Sequence, residues 1–328
     1  MRYLLIIMLS LYSLAIFSQE IIDGNFAFQD DPAKKYSILV PSSYNPNTPH
    51  ALMIGFHPLN TNRWDAQSWR DTLINFAESN QLILACPDGG PDGRVDDPID
   101  TAFTSVLLDS LGMWYNIDRN QQYAIGFSWG ARTAYTYTFN HPDQFKGVIP
   151  IGAAIEGTNQ FPTNIESSQG TDFYIVHGSN DSPSERYFPA LEALDEAEIC
   201  HSEILISGVG HTIDFPNRNS ILDEAFAFVS QSNNCQISST SKSVENLSSL
   251  IDIYPNPTSN GHINIEDSLG REISSVQILN LQGQFIQQLS GSDRSWRTKY
   301  YDPGVYLIKI YFSDGSHRTK RIIFLDKN

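Results

Sequence analysis

A chain of 328 residues is long for one average domain, and with 41% apolar and 18% charged side chains it can bury a sizeable core, which excludes wholesale disorder. Its 21 lysines and arginines stand against 37 acidic residues, a formal net charge of -16, and a surface of that sign repels phosphate backbones, which argues against a nucleic-acid partner. The three cysteines, Cys86, Cys200 and Cys235, show no CxxC spacing, which disfavours a thiolate metal centre; no metal and no other cofactor is expected.

The N-terminus pairs a positive Arg2 with an apolar run of 14 residues, positions 4–17, followed by the small Ser18. A membrane span needs about 20 apolar residues, so residues 1–18 read as a signal peptide with the mature chain starting at Gln19; an uncleaved anchor is the alternative. No later stretch is long and apolar enough to span a bilayer, so an exported protein with no stable membrane span is expected. Export permits a disulfide, and Cys200 and Cys235 are candidates for one.

From residue 19 to 235 strand and helix patterns alternate. Apolar runs at 36–40, 51–56, 82–86, 123–127, 147–151, 173–176 and 203–206 predict strands, several of them continuous as in a sheet covered on both faces. Spacings of three and four predict helices over 64–79, 102–114, the stretch after Ser128, and 220–230. This alternation predicts an α/β fold with a mostly parallel sheet flanked by helices. The connection between the strand at 147–151 and the next is too short for a large lid, so an open, shallow site is expected.

Residues 236–250 form a linker in which seven of the fourteen positions 237–250 are serine or threonine. After it the charge changes: residues 251–328 carry 9 basic and 8 acidic side chains, so the negative excess lies before the linker. Strand-like runs at 276–279, 285–288, 305–312 and 319–324, with turns at Gln282-Gly283 and Asp314-Gly315, predict a small all-β sandwich over 251–328.

The chemistry-bearing motif is Gly126-Phe127-Ser128-Trp129-Gly130. It matches G-x-S-x-G, follows a strand and opens a helix, the setting in which a sharp turn presents a nucleophilic serine beside a helix N-terminus. A hydroxyl needs a base to remove its proton. In this motif's order an acid and then a histidine follow the serine, and Asp181 and His211 each lie just past the end of a strand. His211 is the expected base and Asp181 its orienting acid. Asp172 precedes its strand and Asp214 sits close to His211 in sequence, so both are weaker rivals. His177 is expected to brace the Asp181 loop, while His50, His141, His201, His262 and His317 read as solvated or turn residues. Backbone N–H groups of Trp129 and Leu59 are the expected oxyanion donors, since Pro58 has none. Phe56 and His57 are candidate substrate contacts; Trp64, Trp69 and Trp129 could offer aromatic surface, although such residues are more often core, and Asp96 and Asp97 read as a solvated loop or helix cap rather than a cation site.

With FHPLN after the strand at 51–56, then ACPDGG, GFSWGAR, VHGSND and GVGH, residues 36–232 resemble the α/β-hydrolases, and among them the exported polyhydroxybutyrate depolymerase and feruloyl esterase group. The chain departs from that group in His57-Pro58, where His-Gly is usual, and in Ala131, where a second glycine is usual. The elbow is also similar to that of dienelactone hydrolases, whose nucleophile is cysteine. Tyr254-Pro255-Asn256-Pro257, VQILNLQGQFI and PGVYLIKI resemble type IX secretion sorting domains. The first resemblance implies a secreted serine esterase acting through an acyl-enzyme on feruloyl or acetyl polysaccharide esters or on polyester. The second implies passage through the periplasm of a Gram-negative cell, engagement of outer-membrane secretion machinery, and delivery to the surface or medium. A serine peptidase and a non-catalytic surface-binding module that keeps the fold are the alternatives.

Overall fold

The structure, a computed structural model, describes residues 19–26, 34–59, 62–96, 98–155, 164–231, 251–258, 262–267, 271–280, 284–290, 295–297, 302–313 and 317–325. The expected export segment, the linker, Asn60, Asp97, Cys235 and the turns at Gln282-Gly283 and Asp314-Gly315 lie outside these residues.

Strand β1 (Glu20–Gly24) pairs antiparallel with β2 (Tyr36–Val40). The next elements are β3 (His50–Phe56), α1 (Ala66–Ser79), β4 (Ile83–Pro87), α2 (Pro98–Trp114), β5 (Ile117–Phe127) and α3 (Trp129–Asn140). They are followed by β6 (Gly147–Ile151), β7 (Asp172–Gly178), α4 (Tyr187–Glu196), β8 (His201–Ile206) and α5 (Arg218–Ser230). One eight-stranded sheet results, in the order β1-β2-β4-β3-β5-β6-β7-β8, parallel from β4 to β8.

The continuous apolar strands are explained by burial on both faces. On β3, Leu52, Ile54 and Phe56 enter one core with Leu107 and Leu111 of α2, Tyr135 and Phe139 of α3 and Leu191 of α4. Met53, one residue out of phase, enters the other with Trp69 and Leu73 of α1 and Leu222 and Val229 of α5. Each such aliphatic side chain contributes about 1.5–3 kcal/mol by leaving water.

Local chemistry sets the helix starts. Asp65 caps α1, its carboxylate accepting from the Ser68 N–H at 2.7 Å, so the helix predicted from 64 begins at Ala66. Helix α2 begins at Pro98, four residues before the expected start, because proline suits a position whose N–H has no intrahelical acceptor. Cys86 is a free, buried thiol and Cys200 is disulfide-bonded.

In the C-terminal part, β9 (Ile251–Tyr254), β10 (His262–Asp267), β11 (Ile273–Asn280), β12 (Phe285–Ser290), β13 (Ser295–Arg297), β14 (Gly304–Phe312) and β15 (His317–Phe324) form two antiparallel sheets. Their orders are β13-β10-β9 and β12-β11-β14-β15. They share a core of their own, with Ile263 and Ile265 from one sheet against Val276, Ile278, Ile308 and Ile310 of the other. Lys309 on β14 reaches Glu203 on β8 at 3.0 Å.

Candidate active site

Strand β5 stops at Phe127 and helix α3 starts at Trp129, leaving Ser128 to make the whole turn at φ 55°, ψ -118°. A non-glycine residue holds such a backbone only where its surroundings fix it. The Ser128 N–H donates to the Ile151 carbonyl on β6 at 2.8 Å, and the Ser128 carbonyl accepts from Ala131 and Arg132, each at 3.1 Å. The flanking glycines are steric necessities. A Cβ on Gly126 would lie 2.3 Å from the Gly130 oxygen, and one on Gly130 would lie 2.0 Å from the Phe56 oxygen. The second contact seats the loop after β3 directly on the elbow.

Asp181 follows β7 and His211 follows β8. Their loops are fastened together: the Asn180 N–H donates to Val209 at 2.8 Å and the Gly208 N–H to the Ser179 hydroxyl at 2.8 Å. His211 Nε2 lies 2.7 Å from Ser128 Oγ, and its Nδ1 lies 2.7 Å from Asp181 Oδ2. The imidazole rests on the Phe127 ring, centroids 4.9 Å apart. With Nδ1–H donating to Asp181, Nε2 is the acceptor facing the Ser128 hydroxyl, as proton abstraction requires.

The rival acids lie elsewhere. Asp172 opens β7 at the far end of that strand, and Asp214 pairs with Arg63 at 3.0 Å and Arg218 at 3.3 Å. His177 is buried, its Nε2 2.8 Å from the Asp181 carbonyl oxygen, and burial pushes its pKa down. Arg186, absent from the expected set, donates to Asp181 Oδ1 at 2.6 Å.

Trp129 is the first residue of α3, where an N–H has no intrahelical acceptor, and Leu59 is half-buried in the loop seated on the elbow. Phe56 and His57 require correction as substrate contacts, since they are 0% and 1% exposed. Phe56 packs on Tyr137 in the core. His57 has both ring nitrogens engaged: Nδ1 lies 2.7 Å from the Pro58 oxygen, and Nε2 accepts from the Gly89 N–H at 3.1 Å. It braces the loop after β3 against the loop after β4, and burial holds its pKa below the ordinary histidine value.

Trp64 and Trp69 take the core role, the commoner one for such side chains, and are buried edge to face. The Trp129 indole donates to Asp96 Oδ2 at 2.5 Å, with the guanidinium carbons of Arg94 and Arg132 at 4.5 and 4.8 Å from its ring. Asp96 therefore serves as an indole acceptor, and no group of three or more potential metal-ligating side chains is assembled among the described residues. His50, His141 and His201, expected as solvated or turn residues, are half-buried and engaged with Asn45, Tyr137 and Ile199 respectively, with His141 at the C-cap of α3.

Comparison with known proteins adds three relatives. "Probable feruloyl esterase C" of Aspergillus niger is 24% identical over 156 residues, 45% of this chain and 55% of that protein. A bifunctional acetylxylan esterase/xylanase of Neocallimastix patriciarum is 27% identical over 147 residues, 44% of this chain and 21% of that protein. The chain thus spans about half the length of the first relative and a fifth of the second. Among solved structures, a ferulic acid esterase superposes with a TM-score of 0.51 at 17% identity, covering 65% of this chain and 98% of that one. Residues 252–324 match the family described as "Secretion system C-terminal sorting domain". The chain accordingly joins an α/β-hydrolase fold to a type IX secretion-sorting segment.

Proposed function

We propose that the protein is a secreted serine esterase in which Ser128 is the nucleophile, His211 the general base and acid, and Asp181 the residue that orients His211. The observation that carries this reading is the unbroken chain of contacts from Ser128 Oγ through both nitrogens of His211 to Asp181, each link 2.7 Å. His211 Nε2 takes the hydroxyl proton as Ser128 Oγ attacks the ester carbonyl carbon. The negative charge that develops on the carbonyl oxygen is met by the N–H groups of Trp129, at the start of α3, and of Leu59, in the loop after β3. The imidazolium returns its proton to the departing alcohol, and the acyl group remains on Ser128. Water, deprotonated by the same nitrogen, then releases the acid. Asp181, 6% exposed, balances the transient imidazolium charge.

Relatives named as feruloyl and acetylxylan esterases favour feruloyl or acetyl esters on polysaccharide as substrates, over polyester or peptide. Residues 19–235 form the catalytic unit, 236–250 the linker, and 251–328 the part that engages the outer-membrane secretion machinery, which delivers the enzyme to the cell surface or medium. The test is hydrolysis of feruloyl, acetyl and short-chain esters by purified protein, with Ser128→Ala as control and a fluorophosphonate probe alongside. Turnover and labelling should both vanish in the variant. Equal labelling of wild type and variant, or turnover of peptides but not esters, would sink the proposal.

A further inference from the structure

We infer that Arg186 is a positioning residue of this site, one that turns the Asp181 carboxylate so that a single oxygen is kept for His211; the inference rests on the esterase reading above. A carboxylate has two equivalent oxygens and a soft terminal torsion, so a lone histidine donor does not fix its plane. Here each oxygen has its own charged or polar donor. Oδ2 lies 2.7 Å from His211 Nδ1, and Oδ1 accepts from Arg186 Nη1 at 2.6 Å. Such charge-assisted bonds are shorter and stronger than neutral ones, and this acceptor is almost wholly shielded from water.

The local backbone exists to bring this guanidinium round. Ser182 turns through φ 47°, and the N–H groups of Glu185 and Arg186 donate to the Ser182 carbonyl at 3.0 and 3.2 Å. The chain thus reverses between Asp181 and the start of α4, and Arg186, at the N-cap of that helix, points back to the carboxylate five residues behind it.

The same Nη1 lies 3.2 Å from His211 Nδ1. A guanidinium can only donate, so on its own this contact would favour an unprotonated Nδ1; the shorter bond to Oδ1 keeps Nη1 committed to the carboxylate and leaves Nδ1–H to Oδ2. While Asp181 Oδ2 is held in place, Nδ1 carries the proton and Nε2 is free to accept one from Ser128. If the carboxylate rotates, Oδ2 leaves Nδ1 and the ring loses the acceptor that holds its proton there. The His211 proton then moves to Nε2, where it faces the Ser128 hydroxyl and blocks abstraction. Arg186 therefore acts through Asp181 on which imidazole nitrogen is protonated.

The experiment uses the full chain with Arg186→Ala and Arg186→Lys. Expected in Arg186→Ala is a fall in kcat of roughly 10- to 100-fold, the size seen when a partner that orients a metal ligand is removed, with KM unchanged. The Arg186 side chain is 37% exposed, so added guanidinium should enter the vacated space and restore part of kcat, as should the lysine variant. Nitrogen-15 shifts of His211 should report the Nδ1–H tautomer in the wild type and a mixture in Arg186→Ala. An unchanged kcat, or a loss that neither guanidinium nor lysine restores and that is matched by a fallen unfolding midpoint, overturns the inference. Should the wild type hydrolyse no ester, the esterase reading fails by itself. The nitrogen shifts then still decide Arg186: one and the same tautomer in both proteins overturns it.

Discussion

Two imidazoles, His57 and His177, are buried without a carboxylate in hydrogen-bonding contact with either ring, and burial pushes both pKa values down. In the unfolded chain each protonates near the ordinary value of about 6.5, so just below that value the unfolded state binds more protons than the native one. Their contribution to stability is therefore complete above about pH 6.5 and is lost as the pH falls toward their lowered native values. Calorimetry from about pH 8 to pH 5 should show the unfolding midpoint dropping below about pH 6.5, before most carboxylates titrate, and His177→Asn should blunt the drop. A midpoint that rises on acidification would contradict this. His57→Ala should destabilise by about 2–4 kcal/mol, since it opens a cavity and strands the buried Gly89 N–H. The bracing role of His177 is legible in its place four residues before Asp181, whose carbonyl its Nε2 meets, but that of His57 is not: Ser128 is announced by its flanking glycines, whereas the partners of His57 lie in a carbonyl next door and an amide 32 residues away. Arg186 is hidden for a related reason, because only the turn at Ser182 brings it back to Asp181.

Among the elements, the strand-to-helix turn tolerates the least. A methyl group on Gly130 has nowhere to go, since the nearest atoms are the Phe56 carbonyl, its oxygen at 2.0 Å and its carbon at 2.6 Å, and the His57 oxygen at 2.7 Å. Gly130→Ala should push the loop after β3 off the elbow, costing about 1–3 kcal/mol or more and removing ester turnover; circular dichroism melts and a fluorophosphonate labelling rate measure the two effects. Wild-type labelling by this variant would show that the loop is not seated as described. The parallel strands were readable because burial on both faces leaves uninterrupted apolar runs, as in Ile83–Pro87. Helix α4 was not expected, because Pro189 within Tyr-Phe-Pro-Ala-Leu reads as a break; in the first turn, where N–H groups lack helical acceptors, it does no harm. Strand β1 leaves little trace in the sequence because it is short, half polar and paired only at the sheet edge.

Over the whole molecule, the eight-stranded sheet and the C-terminal sheets bury separate apolar clusters. Separate cores predict two calorimetric transitions, and removal of residues 236–328 should delete one of them while leaving kcat on a soluble ester within about twofold. A single transition that shifts as a whole on truncation would show that the two parts fold as one. The left-handed backbone of Ser128 has a wider consequence. Glycine accepts that geometry freely, so Ser128→Gly would relieve strain on the order of 1–3 kcal/mol while deleting the oxygen proposed to attack. A hardier but inert twin lies one substitution away, and any search for heat-tolerant descendants that scores survival alone, without scoring turnover, will drift toward it.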